Sequence, residues 1–256
     1  MESLLNHPWP LGLLTAVSLA AVIEGGYQSA IRLRIQENAN RKDQMIAIRD
    51  GLFILVGLLF GFTLALAAPR FADRRLLLID EANAIGTTYL RASTLPSPNC
   101  EQAQRLLRQY VDARLDLDNA GLDGARFAEA ASRAKQIQEQ LWQAVTEITK
   151  TDRSAVAAVY ITSLNHMIDL HEKRVSALEN RIPGSVWLLI FSVSIIALFT
   201  RGLTLAGRFW LTLVLAPLTI AIVVALIADL DTPSSGLIRL DQRAMIRLKA
   251  DITARQ

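Results

Sequence analysis

From Leu52 to Ala68 the chain runs seventeen residues without a charge, then at Pro69 turns into the polar string RFADRRLLLIDEANAIGTTYLRAS, residues 70–93. A run of that length and apolarity crosses a hydrocarbon core as a helix, which needs about 17 to 25 residues at a rise of about 1.5 Å each. No linker separates it from the charged helical segment that follows. Whatever the membrane part does is therefore mechanically tied to the polar part.

Three more stretches read as spans: Trp9 to Ile23, Val186 to Thr200 and Phe209 to Ala228. With 52% hydrophobic residues and 20% charged ones, the chain must divide itself between two solvents. The first span reads as a retained anchor, because residues 1–10 hold no Lys or Arg and no small-x-small cleavage site follows before Arg32. Trp9, Trp187 and Trp210 fall at span ends, where an indole favours the headgroup region. The expected fold is an all-α membrane protein with four transmembrane helices and a cytoplasmic helical bundle inserted between helices 2 and 3. Residues 1–69 would form the first hairpin, 70–183 the bundle, 184–228 the second hairpin and 229–256 a C-terminal tail.

An even number of spans puts both termini on the side of the long segment. Basic residues near the membrane decide which side that is. The hairpin side carries Arg32, Arg34, Arg41, Lys42, Arg49, Arg201 and Arg208; the other carries the larger set that includes Arg70, Arg74, Arg75, Lys173, Arg174 and Arg181. The bundle and both termini are accordingly expected in the cytoplasm, in a multi-pass protein of the inner (cytoplasmic) membrane. A net charge of +3, spread along the chain, makes no case for nucleic acid, and anionic lipid headgroups are the simpler partner for the juxtamembrane arginines. Cys100 is the only cysteine and forms no internal disulfide.

Residues 70–183 read as helical throughout. Pro96 and Pro98 end the first helix, and Asn99 offers a cap with Gln102 three residues on. Apolar residues then recur at helical spacing, as in Ala103, Leu106, Leu107, Tyr110, Val111 and Leu117. A break at Asn119 to Gly124 precedes a stripe of Phe127, Ala131, Ala134, Ile137, Leu141, Val145 and Ile148. The last helix starts near Asp152 and carries Val156, Val159, Leu164, Met167 and Leu170. Amphipathic helices of this kind pack as a bundle.

If Pro69 only kinks the chain, span two continues through Leu95 as one helix of about 44 residues, on the order of 65 Å long. Arg74, Glu81 and Thr88 then fall seven apart, with Arg70 and Arg91 near the same line. Such a line is either an ion-pair network between helices or the polar lining and mouth of an ion path. Within span two, Ile54, Leu58 and Phe62 share one face, beside Gly57 and Gly61 on the next. Ordinary packing would satisfy that pattern; apolar rings can also gate pores by excluding water. His166 and His171 are five apart, off the i, i+4 spacing that aligns two ligands, so no metal is expected from them. Glu24, at the end of an apolar run beside Gly25 and Gly26, reads as interfacial.

The strings RFADRRLLLIDEANAIGTTYLRA, LLRQYVDARL, RIPGSVW and DLDTPSSGLIRL resemble the bacterial bestrophin-like family, the domain of unknown function numbered 4239, itself remotely similar to the bestrophin ion channels. In bestrophins the second membrane helix lines a pore with a three-residue apolar neck, and a Gly-Phe pair precedes an Arg-aromatic pair by a fixed distance. Gly61-Phe62 and Arg70-Phe71 stand at that separation here, so the resemblance implies a neck at Ile54, Leu58 and Phe62. It also implies a homo-oligomer, a pentamer by analogy, passing inorganic ions. The acidic calcium cluster of animal bestrophins has no counterpart: Asp229 and Asp231 are only two carboxylates, read as a helix end and turn. No phosphate-cradling loop, paired-Cys motif or Ser elbow appears, so neither an enzyme nor a cofactor is expected. The functional expectation is passive conduction, of anions given Arg70 and Arg74 at the mouth; the alternative is a membrane-anchored scaffold or sensor whose bundle binds a partner.

Overall fold

The computed structural model describes residues 8–35, 39–120, 123–232 and 237–255, with the side chains of Pro8, Trp9, Leu11 and Thr151 left out. The first seven residues, the Trp9 side chain, part of the expected 119–124 break and PSSG of the last motif thus fall outside the described set. Among the described residues all regular structure is helical: α1 (Pro8–Arg32), α2 (Ala39–Ala92), α3 (Asn99–Asn119), α4 (Gly124–Thr151), α5 (Ala155–Glu179), α6 (Gly184–Leu203), α7 (Trp210–Asp231) and α8 (Arg243–Thr253). Among the described residues three stretches are long and apolar enough to cross a membrane, within Ala39–Ala92, Ala155–Leu203 and Trp210–Asp231.

Helix α2 runs for 54 residues with Pro69 inside it. The proline lacks only the N–H that would bond the Ala65 carbonyl, and apolar helices tolerate that loss. The chain clusters into two compact units, Met1–Phe71 with Arg181–Ile238, and Ala72–Asn180 with Arg239–Gln256.

The first unit packs α1 against α6 and α7. Its core holds Leu19 and Ile23 of α1, Val56 and Phe60 of α2, Ile190, Ala197 and Leu198 of α6, and Ile220, Val224 and Ile227 of α7. Helices α1 and α6 meet backbone to backbone at Gly26 and Gly202, where small residues let apolar helices approach in the absence of a strong hydrophobic drive.

The second unit is a bundle of the 72–92 part of α2 with α3, α4, α5 and α8. Leu78, Ile85 and Ala92 of α2 alternate with Arg74, Glu81 and Thr88 in steps of four and three, and all six are buried. Leu107, Tyr110 and Val111, then Ile137, Leu141 and Ile148, then Tyr160, Leu164 and Met167 fill the rest of the core. Phe127, Val156 and Val159 leave the expected stripes and are exposed, whereas Ala130, Ala157 and Tyr160 in the same helices are buried. Asp123 caps α4 through the amides of Ala125 and Arg126 at 3.2 Å, and Ser154 caps α5 through that of Ala157. Asn99 does not cap α3: Pro98 holds the cap position without a side-chain bond, and Ser97 instead donates to the Glu101 carboxylate at 3.1 Å. Residues 229–256, expected as a tail, divide between the units, and α8 inserts Met245 and Ile252 into the bundle core.

Candidate functional site

On α2 the face opposite Val56, Phe60 and Ala67 carries Ile54, Leu58 and Phe62, which are 74%, 51% and 61% exposed. Added Cβ atoms at Gly57 and Gly61 would meet nothing within 4 Å. Among the described residues, three bulky side chains and a smooth glycine strip therefore have no covering element, whereas the other side of the same helix is core. Thr63, in the same stretch, is buried and returns its hydroxyl proton to the Leu59 carbonyl at 2.7 Å.

The four charged candidates separate. Arg70 is half-buried, with Nη1 buried and without a hydrogen-bond partner. Arg74 is 1% exposed; its guanidinium donates to the carbonyls of Ala177 and Asn180 at 2.9 Å each. Those carbonyls belong to the last turn of α5 and its cap residue, so Arg74 satisfies a helix end with positive charge where the dipole favours it. Arg91 is half-buried and reaches the Val159 carbonyl at 3.4 Å.

Glu81, fully buried, is the centre of an ion-pair cluster drawn from three helices. Its Oε2 accepts from Arg174 of α5 at 2.7 Å and from Arg114 of α3 at 3.1 Å, and Arg114 Nε lies 2.8 Å from Oε1. Arg174 also binds Asp118 of α3 at 2.5 Å. His171 Nδ1 stands 3.6 Å from Glu81 Oε1, and its ring meets Tyr110 edge-on at 6.4 Å. Two carboxylates and two guanidiniums balance, as burial demands. Burial pushes the Glu81 carboxyl up, but His171, Arg114 and Arg174 outweigh it and hold the group well below the usual carboxylate range. Burial works against the charge on Arg174, while Asp118 and Glu81 restore it and raise its pKa. Tyr110, desolvated and facing Glu81, is pushed up, and its hydroxyl accepts from Gln138 at 2.9 Å.

Arg114, Asp118 and Arg174 were not singled out in the sequence, yet a signal exists. Arg114 continues the apolar series Leu107, Tyr110, Leu117, and Arg174 continues Met167, Leu170. A charge in a buried register requires a buried partner.

In the first unit the acids of the DLD string close the chain on itself. Asp231 accepts the Ile182 amide with both oxygens at 3.1 and 3.2 Å, and Asp229 accepts those of Leu237 and Ile238 at 3.0 and 2.9 Å. Glu24 pairs with Arg208, whose guanidinium also sits 5.4 Å above the Tyr27 ring. Among the described residues no group of three or more acids, His or Cys is placed to hold a metal.

The Bestrophin-like domain profile matches residues 44–245, which include the exposed α2 face, the ion-pair cluster and both acid latches. The chain belongs to the bestrophin-like family. No curated protein matches it at a significant level. Among solved structures this bestrophin-like chain is similar to a bacterial bestrophin homologue from Klebsiella pneumoniae, at 17% identity and a TM-score of 0.68 over 95% of this chain and 97% of that one. It is also similar to a crystal structure described as a membrane protein, at 15% identity and a TM-score of 0.69 over 94% and 98%. At such identities the likeness is one of fold. With its apolar helices and its family, the bestrophin-like chain is an integral membrane protein.

Proposed function

We propose that this bestrophin-like protein is a homo-oligomeric ion channel, with α2 of each copy around the axis and a neck formed by Ile54, Leu58 and Phe62. The observation that carries the reading is the exposure of those three side chains on a helix whose other face is core. A ring of such residues would form a dewetting constriction that passes ions without a chemical cycle. The glycine strip at Gly57 and Gly61 would let α2 of the next copy come close.

In this reading α1, the apolar part of α2, α6 and α7 are the four spans. Both termini and the bundle face the cytoplasm of an inner-membrane protein surrounded by lipid. Arg70, with an uncommitted buried guanidinium nitrogen, stands at the mouth and favours anions. Arg74 and Glu81 hold the bundle instead, since both are buried and partnered. The native mass of the detergent-purified protein tests the assembly. A pentamer is expected; a monomer or dimer would leave α2 no ring to line and overturn the channel reading.

A further inference from the structure

Helices α1 and α7 meet through small residues. A Cβ added at Gly12 would stand 3.4 Å from the Ala225 Cβ, in ordinary van der Waals contact, and Ala16 and Ala221 continue the seam one turn away on each helix. Beside it α7 carries a bulkier row, Leu218, Ile222 and Leu226, in steps of four, and Leu13 stands on the α1 side; all four are exposed. A floor of small residues between bulky ridges makes a furrow. Within the first unit it encloses about 570 Å³, the size of a small-molecule site.

The lining is almost wholly apolar. Among the described residues Asp229 is the one charged group in it, and both its oxygens are taken, accepting the Leu237 and Ile238 amides at 3.0 and 2.9 Å. That latch also brings Leu237 and Ile238 over the end of the groove. A charged or strongly polar ligand would lose its hydration here and find no partner, whereas a hydrocarbon chain would lose nothing.

The dimensions narrow the choice. Leu218 and Asp229 bound the groove on α7, and the helix between them rises about 16 Å at 1.5 Å per residue. This is close to half of a hydrocarbon core of about 30 Å, the depth that the chains of one leaflet fill. Helix α7 is long and apolar enough to cross the membrane, and the exposed Leu13, Leu218 and Ile222 make the groove continuous with the apolar surface that this integral membrane protein turns to lipid.

We propose that the α1–α7 groove holds one acyl chain of a phospholipid, lying along α7 from the Asp229 latch to Leu218 with Gly12, Ala16, Ala221 and Ala225 beneath it. Bulk lipid is as apolar as the groove, so close packing is what retains the chain. The inference rests on membrane embedding and does not depend on the channel reading.

The full-length protein in detergent is titrated with a phosphatidylcholine that carries a diazirine on one acyl chain, irradiated, and mapped by mass spectrometry of its peptides. Wild type is expected to label saturably on α1 and α7, with unlabelled lipid competing. A16L and A225L fill the groove and should lower that labelling at least about tenfold. I222A and L226A, on exposed walls, should lower it about threefold, and they decide the matter if the filled variants fail to fold. I195A, on an exposed part of α6, should leave it unchanged. Labelling that never saturates, spreads evenly over the exposed helices, or ignores I222A and L226A overturns the proposal, the groove then being ordinary lipid-facing surface. So does a groove that takes no label in the intact oligomer but does in dissociated chains, since a second copy would then be seated on it. No readout involves conduction, so failure here would leave the channel reading untouched.

Discussion

Gly26 and Gly202 face each other across the α1–α6 contact so closely that a Cβ on Gly26 would lie 3.1 Å from the Gly202 Cα and overlap the Phe199 carbonyl oxygen. At Gly202 a Cβ would collide with the Ile23 carbonyl oxygen. Both obstacles are backbone atoms, so no side chain can rotate aside. G26A and G202A should each cost about 1 to 3 kcal/mol, the usual range for overpacking, seen as a lower melting temperature in detergent. Gly25 is the control, since its Cβ would meet nothing within 4 Å. Equal melting of G25A and G26A would mean that the helices are not in contact at this point.

The buried Glu81 cluster predicts a large and pH-dependent effect. E81Q removes the charge that Arg114 and Arg174 share and should destabilise the second unit by about 3 to 5 kcal/mol, the range for breaking a buried pair from one side. The folded pKa lies below the ordinary 4.5, so the contribution of Glu81 is present above that pH and is lost as pH falls from there toward the folded value. Denaturant titrations between neutral pH and pH 3 should show wild type beginning to lose this increment below pH 4.5 and E81Q lacking that slope. Parallel acid profiles for the two proteins would show that Glu81 is not the charge that acid neutralises.

Tyr160 gives the opposite sign. Its hydroxyl is buried without a hydrogen-bond partner, and burial pushes its pKa up to about 12. A raised folded pKa means that the stabilising share is complete below the unfolded value of 10 and is lost as pH rises from 10 toward 12. Y160F should be neutral or more stable by up to about 1 kcal/mol at neutral pH, because an unsatisfied polar group is removed. It should also lose less stability above pH 10 than wild type, followed by chemical denaturation. A strong loss at neutral pH would reveal an unseen partner for the hydroxyl.

How far the sequence could be read depended on whether a feature was local. Helices α6 and α7 begin and end within a few residues of the expected Val186–Thr200 and Phe209–Ala228, because apolar length alone sets them. The i, i+4 series Ile54, Leu58, Phe62 does share one face, which helical geometry guarantees, and Pro69 does stay within one helix. Partners distant in sequence were not legible. Nothing near Asp231 announces that it accepts the Ile182 amide, 49 residues away. The line Arg74, Glu81, Thr88 was visible, but whether it faced a pore or other helices depended on Arg114 and Arg174, which lie on elements whose neighbours no local pattern reveals.

The neck assignment makes the sharpest functional prediction. Ile54, Leu58 and Phe62 are exposed, so replacing them by Ala leaves the core of the first unit intact and should hardly change its melting. If they ring an axis, each truncation widens the constriction and weakens its exclusion of water. A barrier lowered by about 1 kcal/mol raises the rate about fivefold, so F62A in reconstituted vesicles should conduct several times faster than wild type. L66A is the comparison: Leu66 is also exposed at 52% and continues the series by one more step of four, so it reports on the end of the constriction. A rise at Phe62 and Leu58 that fades at Leu66 would locate the neck, with the oligomer mass unchanged throughout. Wild-type flux in I54A, L58A and F62A alike, in an intact oligomer, would move the constriction off this face of α2.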